Sequence, residues 1–400
     1  MVDKKKRKLL AAAGAGSLAG LVGLSFHYGL RYPPLSFDVP PVPKKQHIDS
    51  AHYELNGAIF VSSSNGMLLR AFTPQPMVTV RADIDQTVTI EINNVFPEAE
   101  LEVTGVAGLA ESTQGISRLV IGEVKSGQEA TFAWRLPDDA AYRFAIIGDT
   151  GGDRELNWCL KRAKELGAQF LLHLGDFNYQ PGDYDDAIRE FHNAPLPCFV
   201  TIGNHDYHDD GGIYPKFQQN IGPLNYQFTL GDTPFVNSDT AADFFPAWGG
   251  VRGKLMETLI AEKDQHVDTV LFTHRPFVDP RPNETHYVGG VGERDWLSKA
   301  FLEANIDKFF AGHIHIQHEE LYNGVLNIIA GQGLGHQDII AKQSISKMII
   351  AQTQPGQKIQ YDWHDLAMPL EYHCSERHHR FVRENTGFEE TKNVLEKACF

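Results

Sequence analysis

Five short apolar runs between residues 144 and 311 each lead directly into residue types that bind metal ions. The runs cover 144–147, 169–174, 199–202, 269–273 and 308–311, and apolar residues at helical spacing lie between several of them. Strands that alternate with helices indicate an α/β domain, in which side chains at the carboxyl ends of the strands gather at one edge. The blocks after the runs are Gly148-Asp149, Gly175-Asp176, Gly203-Asn204-His205-Asp206, Thr273-His274 and Gly312-His313-Ile314-His315. One such block is an ordinary turn, but five in chain order predict a single site.

The N-terminus combines a basic cluster with an uncharged stretch. Residues 4–8 are all Lys or Arg, and residues 9–30 are rich in Leu, Ala and Gly. This pattern is typical of an export signal or a membrane anchor, with a soluble core helix as the alternative. Because no small-x-small cleavage site lies near Phe26, an uncut anchor is favoured over a removed signal. We therefore expect the rest of the chain to lie on the periplasmic or extracellular face of a membrane.

Changes of pattern divide the remaining chain. Residues 31–50 are rich in proline and predict an extended linker. Residues 51–138 contain about seven short alternating runs, which predict a small all-β sandwich. This sandwich has no cluster of catalytic residue types, so we expect a spacer or a binding module. The α/β pattern covers residues 139–368, and residues 369–400 form a C-terminal tail.

The charge of the chain limits its partners. Its formal net charge is −15 at pH 7, and such a chain would repel a nucleic-acid backbone. Binding to a nucleic-acid duplex is therefore not expected. An anionic substrate would have to be attracted locally, for example by bound metal cations. The oligomeric state stays open.

The four cysteines share no spacing that predicts a metal cage. Cys374 and Cys399 are the more plausible disulfide pair, because Cys159 and Cys198 fall in a predicted helix and a predicted strand. Free thiols are the alternative.

Together the five blocks resemble the metallophosphoesterase (calcineurin-like) superfamily over about residues 143–365, and within it the purple acid phosphatases. A β-sandwich ahead of the catalytic domain also resembles the plant-type members. Gly151 stands where most of the superfamily has the histidine of its first block. Tyr179 stands three residues after Asp176, where purple acid phosphatases have a tyrosine. The resemblance implies an α/β fold of the α/β/β/α type, a β-sandwich flanked by helices.

The resemblance also implies a dinuclear metal centre. Phenolate and carboxylate ligands suit Fe(III), whereas two imidazoles and an amide suit a divalent ion, for which iron, zinc and manganese stay open. Two such cations would activate a metal-bound hydroxide, clamp the phosphate and stabilise the leaving oxygen. The implied ligands are Asp149, Tyr179 and His315 for one metal, Asn204, His274 and His313 for the other, and Asp176 as the bridge.

Two histidines are candidates for substrate contacts. His205 follows a ligand without being one in the family, so it would contact phosphate or protonate the leaving group, with Asp206 fixing its tautomer. His286 lies in the loop after His274, where plant-type members carry outer-sphere histidines, and it would be a second contact. A purely structural role for His205 and a surface position for His286 are the alternatives.

These residues predict an acid-phosphatase-like phosphomonoesterase, which is a metal-dependent phosphoric ester hydrolase. A phosphodiesterase or nucleotidase that uses the same metals is one alternative. A non-catalytic exported binding protein with a vestigial metal site is another, although the complete ligand set argues against it. The expected partner is a small phosphorylated substrate, and its physiological identity stays open.

Overall fold

The computed structural model describes residues 39–64, 66–137, 140–207, 214–241, 250–333 and 346–374, together with positions 384, 392, 393, 396, 397 and 399. The signal or anchor predicted over residues 1–30 lies outside these residues, as does most of the predicted tail. No helix within the described ranges is long and apolar enough to span a bilayer.

The N-terminal part consists of ten strands in two five-stranded sheets. One sheet has the order β1-β2-β5-β10-β7 and the other the order β3-β4-β6-β9-β8. Buried side chains from both sheets belong to one apolar cluster, as a β-sandwich requires. The strands are β1 (Lys45–Ile48), β2 (Ala51–Asn56), β3 (Ala58–Ser62), β4 (Met67–Ala71), β5 (Met77–Ala82), β6 (Gln86–Asn93), β7 (Glu100–Thr104), β8 (Ala107–Gln114), β9 (Ser117–Val124) and β10 (Glu129–Arg135).

Two details of this part differ from the sequence-based prediction. The sandwich has ten strands rather than about seven. Strand β1 also falls inside the range predicted as linker, because it pairs with β2 through its backbone although its side chains are exposed or half-buried. Strand β8 is exposed along its whole length. Neither strand carries the apolar alternation from which strands are predicted.

The second part contains two further sheets with helices. The first sheet has the order β13-β12-β11-β20-β21 and the second the order β14-β15-β16-β17-β19-β18. The elements, in chain order, are β11 (Arg143–Ile147), α1 (Arg154–Glu165), β12 (Phe170–His173), α2 (Asp183–His192), β13 (Cys198–Val200), a 3-10 turn (His205–Tyr207), α3 (Pro215–Asn220), β14 (Tyr226–Leu230), β15 (Thr233–Asn237), α4 (Gly250–Glu262), β16 (Val270–Thr273), α5 (Val291–Glu303), β17 (Lys308–Ala311), β18 (Gln317–Tyr322), β19 (Val325–Ala330), β20 (Lys347–Gln352), β21 (Gln360–Asp365) and a 3-10 turn (Leu370–His373).

The two sheets pack face to face between two layers of helices. In β11, Phe144 and Ile146 belong to the cluster between the sheets, whereas Ala145 and Ile147 belong to the cluster that includes residues of α1 and α2. The second sheet alternates in the same way, because Phe272 of β16 faces inward while its neighbour Leu271 packs with residues of α4 and α5. The predicted α/β/β/α arrangement is confirmed.

Strand direction brings the predicted blocks together. β11, β12 and β13 are mutually parallel, and so are β15, β16, β17 and β19 in the second sheet. Each of the five blocks begins at the carboxyl end of one of these strands or within three residues after it. The blocks therefore meet along one rim of the two packed sheets.

The N-terminal sandwich is hydrogen-bonded to β13, the strand that leads to Gly203. The Asn94 side chain accepts a hydrogen bond from the Cys198 N–H at 2.8 Å and donates one to the Cys198 carbonyl at 3.0 Å. Arg70 donates to the same carbonyl at 3.3 Å. Both backbone groups of Cys198 thus have their partners in the sandwich.

Cys374 and Cys399 form a disulfide, which confirms the pairing that the sequence favoured. Cys159 and Cys198 are buried free thiols. Burial raises the pKa of both thiols, so they remain neutral and unreactive near pH 7.

Candidate metal centre

Two groups of possible metal ligands adjoin each other at the rim. Asp149, Asp176 and His315 each place one ligand atom within 4.8 Å of the others. Asp176, His274 and His313 form a second group of the same kind. Because Asp176 belongs to both groups, its carboxylate can bridge two neighbouring ions. All five residues were predicted as ligands, in these same groupings.

The Tyr179 hydroxyl lies against the first group. It is 3.1 Å from Nε2 of His315. The same oxygen is 3.4 Å from Oδ1 of Asp149 and 3.5 Å from Oδ2 of Asp176. The structure therefore places a phenol, two carboxylates and an imidazole around one point, as predicted.

Asn204 adjoins the second group. Its Oδ1 lies 3.0 Å from Nε2 of His274. Nδ1 of His274 is 2.7 Å from the Leu174 carbonyl, which can only accept, so this nitrogen carries a proton and Nε2 is directed at the ligand group. Burial by itself lowers the pKa of His274, but the facing Asp176 carboxylate outweighs burial and raises the pKa to about 9. A cation among these acceptors would take the place of the second proton.

The surroundings of the His313 ring show whether these residues fit metal ions. Both of its ring nitrogens are buried, and neither has a hydrogen-bond partner within the described part of the chain. A buried imidazole in this state costs free energy, and burial holds its pKa well below the usual range, so it stays a neutral ligand. A metal ion would satisfy one of the two nitrogens. The residues present fit two cations that share Asp176.

Three of the ligands have strained backbone conformations. Asp149, Asp176 and His313 have φ angles of 62°, 58° and 67°, in the left-handed region that side chains other than glycine rarely occupy. The Asp149 carboxylate accepts the His313 N–H at 2.9 and 3.1 Å, which ties the first block to the fifth. Hydrogen bonds between blocks thus hold these conformations in place.

Glycines in the blocks leave room for the ligand carboxylates. A Cβ atom on Gly203 would lie 2.1 Å from Oδ1 of Asp176, and one on Gly312 would lie 2.6 Å from Oδ2 of Asp149. No larger residue fits at either position without moving a ligand. The glycines that precede the metal-binding residues are therefore part of the site's geometry.

A comparison with known proteins identifies this arrangement. Residues 142–317, which contain all five blocks, match the model of the calcineurin-like phosphoesterase family. They form a calcineurin-like phosphoesterase domain. The predicted superfamily is confirmed for these residues, and the match supports the predicted class, a metal-dependent phosphatase.

Two curated proteins and one solved structure are similar to the chain. It is 26% identical over 223 residues to a phosphoenolpyruvate phosphatase of Allium cepa, covering 48% of this chain and 45% of that protein. It is 22% identical over 319 residues to purple acid phosphatase 1 of Ipomoea batatas, covering 72% and 67%. A purple acid phosphatase from yellow lupin (Lupinus luteus) aligns with a TM-score of 0.47 and 12% identity, over 78% of this chain and 72% of that one. The chain spans about half the length of the Allium protein.

His205 lies beside the ligands of the phosphoesterase domain. Its backbone N–H donates to Oδ1 of Asp176 at 2.9 Å, and its ring packs on the Tyr179 ring with centroids 4.7 Å apart. Asn178 donates to the His205 carbonyl at 3.1 Å. Burial lowers the pKa of the His205 imidazole. These contacts hold the His205 ring at the rim, but His205 belongs to neither ligand group.

Asp206 does not support His205, and the prediction that it fixes the tautomer of that histidine is wrong. Its Oδ2 accepts the N–H groups of Gly203 at 2.7 Å and Asp176 at 2.9 Å, and its Oδ1 accepts that of Phe177 at 3.0 Å. Burial and the charge of Asp176 raise the pKa of Asp206 to about 8. The carboxyl group instead joins the second and third blocks.

His286 lies at the outer edge of the second ligand group, with its ring centroid 5.5 Å from that of His313. Its side chain is 48% exposed. Arg281 donates a hydrogen bond to Nδ1 of His286. Asp279 accepts the His286 N–H at 3.1 Å and two Arg281 guanidinium N–H groups at 2.8 and 2.9 Å. The structure therefore places the His286 ring beside His313, one of the predicted ligands.

Asn178, Asp279 and Arg281 hold the two histidines, and the sequence did not single them out. They lie in loops and act through backbone groups or through another side chain. Only their positions in the sequence could have pointed to them. Asn178 stands between two predicted ligands, and Asp279 and Arg281 lie between His274 and His286.

Proposed function

We propose that the chain is an acid-phosphatase-like phosphomonoesterase with a dinuclear Fe(III)–M(II) centre. The observation that carries this proposal is the Tyr179 hydroxyl, 3.1 Å from Nε2 of His315 and beside two carboxylates. Phenolate is a hard anionic ligand that favours Fe(III), and the shared Asp176 favours a second cation close by. The phosphatase names of the two curated relatives agree with this activity.

Seven side chains would hold the two ions. Bound there, the cations would neutralise phosphate oxygens and lower the pKa of the attacking water. The second ion is Fe, Zn or Mn, since imidazole and amide ligands accept each of these as a divalent ion. Asp149, Tyr179 and His315 would hold the iron, Asn204, His274 and His313 the divalent ion, and Asp176 both.

The two histidines would serve the substrate. His205, fixed through its backbone to Asp176 and through its ring to Tyr179, would donate a proton to a phosphate or leaving-group oxygen. Nδ1 of His286 accepts from Arg281, which has no acceptor of its own, so the proton of a neutral His286 lies on Nε2. That N–H would be a second donor to an anionic ester.

We expect the full-length chain, purified in air, to carry two metal ions and to be visibly coloured by tyrosinate-to-iron charge transfer. Tyr179→Phe should lose the colour, because it removes the phenol oxygen that lies against the first ligand group. Metal analysis and the visible spectrum are the measurements. Tyr361→Phe is the control, since the Tyr361 hydroxyl binds Glu319 outside the site and the variant should keep the colour. A colourless wild type that is active with manganese alone would contradict the iron assignment.

The same preparation tests the reaction. Phosphomonoesters should be hydrolysed in preference to phosphodiesters by the metal-loaded enzyme. A preference for diesters or nucleotides would replace this proposal with the phosphodiesterase or nucleotidase alternative. No hydrolysis of any ester at full metal occupancy would favour the non-catalytic binding protein.

The basic residues at 4–8 and the uncharged stretch at 9–30 support an exported, membrane-tethered enzyme. Recovery of the full-length chain in the cytosolic fraction after lysis would contradict this location.

A further inference from the structure

A cluster on the outer face of the β-sandwich consists of metal-ligand residues that the phosphoesterase site does not use. Strand β1 pairs antiparallel with β2, and the register sets His47 directly opposite His52. Buried and exposed residues alternate along β2, so Tyr53 and Leu55 point into the core while His52 points to solvent. His47 is exposed as well, so the two imidazoles share one face of the sheet.

Asp83 completes the cluster from the position directly after β5. Its backbone N–H donates to the Ser50 carbonyl at 2.8 Å, which fixes it beside the turn between β1 and β2. Nε2 of His52 is 3.5 Å from Oδ2 of Asp83, and Nε2 of His47 is 3.9 Å from the same oxygen. The two imidazole rings are 4.4 Å apart between centroids. Ligand atoms from three neighbouring strands therefore converge on one point.

This cluster is independent of the phosphoesterase site. Three groups of ligand residues close enough to hold an ion occur within the described ranges, and two of them contain Asp176. The third is His47, His52 and Asp83, whose ligand atoms lie within 4.8 Å of one another. The side chains are 56%, 59% and 53% exposed, so an ion can enter from solvent and keep water as a further ligand.

We infer that His47, His52 and Asp83 form a second, peripheral metal site that binds a divalent cation of the zinc class. Two imidazoles and one carboxylate, with water in the fourth position, are a known zinc ligand set. Two nitrogen ligands disfavour magnesium and calcium, and the lack of thiolates disfavours copper(I). β1 is an edge strand and the first strand of the sandwich, so a bound ion would fasten it to β2, its one neighbour, and to the residue that follows β5.

Counting Zn²⁺ in equilibrium dialysis tests the site directly. The full chain is used with its phosphoesterase metals loaded, and wild type is compared with His52→Gln. Wild type should bind one more Zn²⁺ per chain. In the variant the affinity for this ion should fall by about tenfold or more, since even groups that only orient metal ligands carry about 10–100-fold in affinity.

His318→Gln is the matched control. His318 is also partly exposed and faces a carboxylate, Glu320, at 3.0 Å, but it is one of a pair and not one of three ligands. It should bind Zn²⁺ like wild type. Equal isotherms for wild type and His52→Gln would overturn the inference, and so would an equal loss in both variants. Zn²⁺ bound by other histidines is the same in wild type and in both variants, so it does not affect the comparison of their isotherms.

Hydrogen exchange of the β1 amides gives a second readout. If opening of β1 breaks the site, Zn²⁺ at ten times its dissociation constant should slow exchange at residues 45–48 by about tenfold. The slowing should occur in wild type and in His318→Gln. It should be absent in His52→Gln, and slowing of the same size there would overturn the inference.

Discussion

Replacing His205 with alanine is expected to slow phosphate-ester turnover by about 10²–10⁴-fold, the usual contribution of a general acid. Both metals should remain bound, because the link between this residue and Asp176 is a backbone N–H that alanine keeps. The measurements are kcat, metal content per chain and the visible spectrum of the same samples. Loss of turnover with full metal content would separate the proton donor from the ligands.

His266→Ala is the control for this prediction. His266 is partly exposed, and its ring is hydrogen-bonded to the Asp232 carbonyl, before the amino ends of β15 and β16 and thus at the end of the sheet opposite the rim. Turnover should match that of wild type. An unchanged rate in His205→Ala would remove this histidine from the mechanism, whereas loss of both metals would make it a structural part of the centre.

Replacing Asp206 with alanine is expected to lower the free energy of unfolding by about 3 kcal/mol or more. Three N–H groups lose their acceptor, and each buried donor left unpaired costs about 1–3 kcal/mol. Metal affinity should fall as well, because these donors include the backbone of Asp176 and the glycine before Asn204. Urea unfolding and metal content are the measurements. Asp206→Asn, which keeps one acceptor oxygen, should lie between alanine and wild type.

Asp85→Ala is the control for Asp206→Ala. Asp85 also accepts a backbone N–H, that of Ser126, but it is exposed, so water can replace it. Its unfolding midpoint should stay close to that of wild type. If Asp206→Ala kept its stability and its metals and lost only turnover, the carboxylate would instead act through His205.

The sequence was most informative where chemistry and strand direction coincide. Parallel strands that end in glycine and a ligand residue must bring those residues to one rim, so a single site could be predicted without coordinates. Its division into two groups of ligands came from the family resemblance. Tyr179 lies three residues beyond Asp176 in the same block, and its role as a ligand was predicted from the family resemblance.

Roles that depend on backbone partners could not be predicted in this way. Asp206 follows His205 in the chain, but its carboxyl group points to N–H groups of another block, and no pattern of side chains encodes that. Strand β18 carries mostly exposed residues and is defined by backbone pairing with β19, as β1 is by pairing with β2. Edge strands of this kind have no apolar alternation to reveal them.

The contacts of Cys198 bear on whether the phosphoesterase domain could be moved into another protein without the sandwich. Its amide and carbonyl are satisfied by Asn94 across the boundary, and Phe96 packs on Phe170 and Phe199 with centroids 5.6 and 6.3 Å apart. A phosphoesterase domain cut free at residue 140 would expose the rings of Phe170 and Phe199 and leave Cys198 without its side-chain partners from the sandwich, although β13 would keep its pairing with β12. We therefore expect the sandwich and the phosphoesterase domain to fold as one unit, and a graft of the catalytic part to require the sandwich behind it.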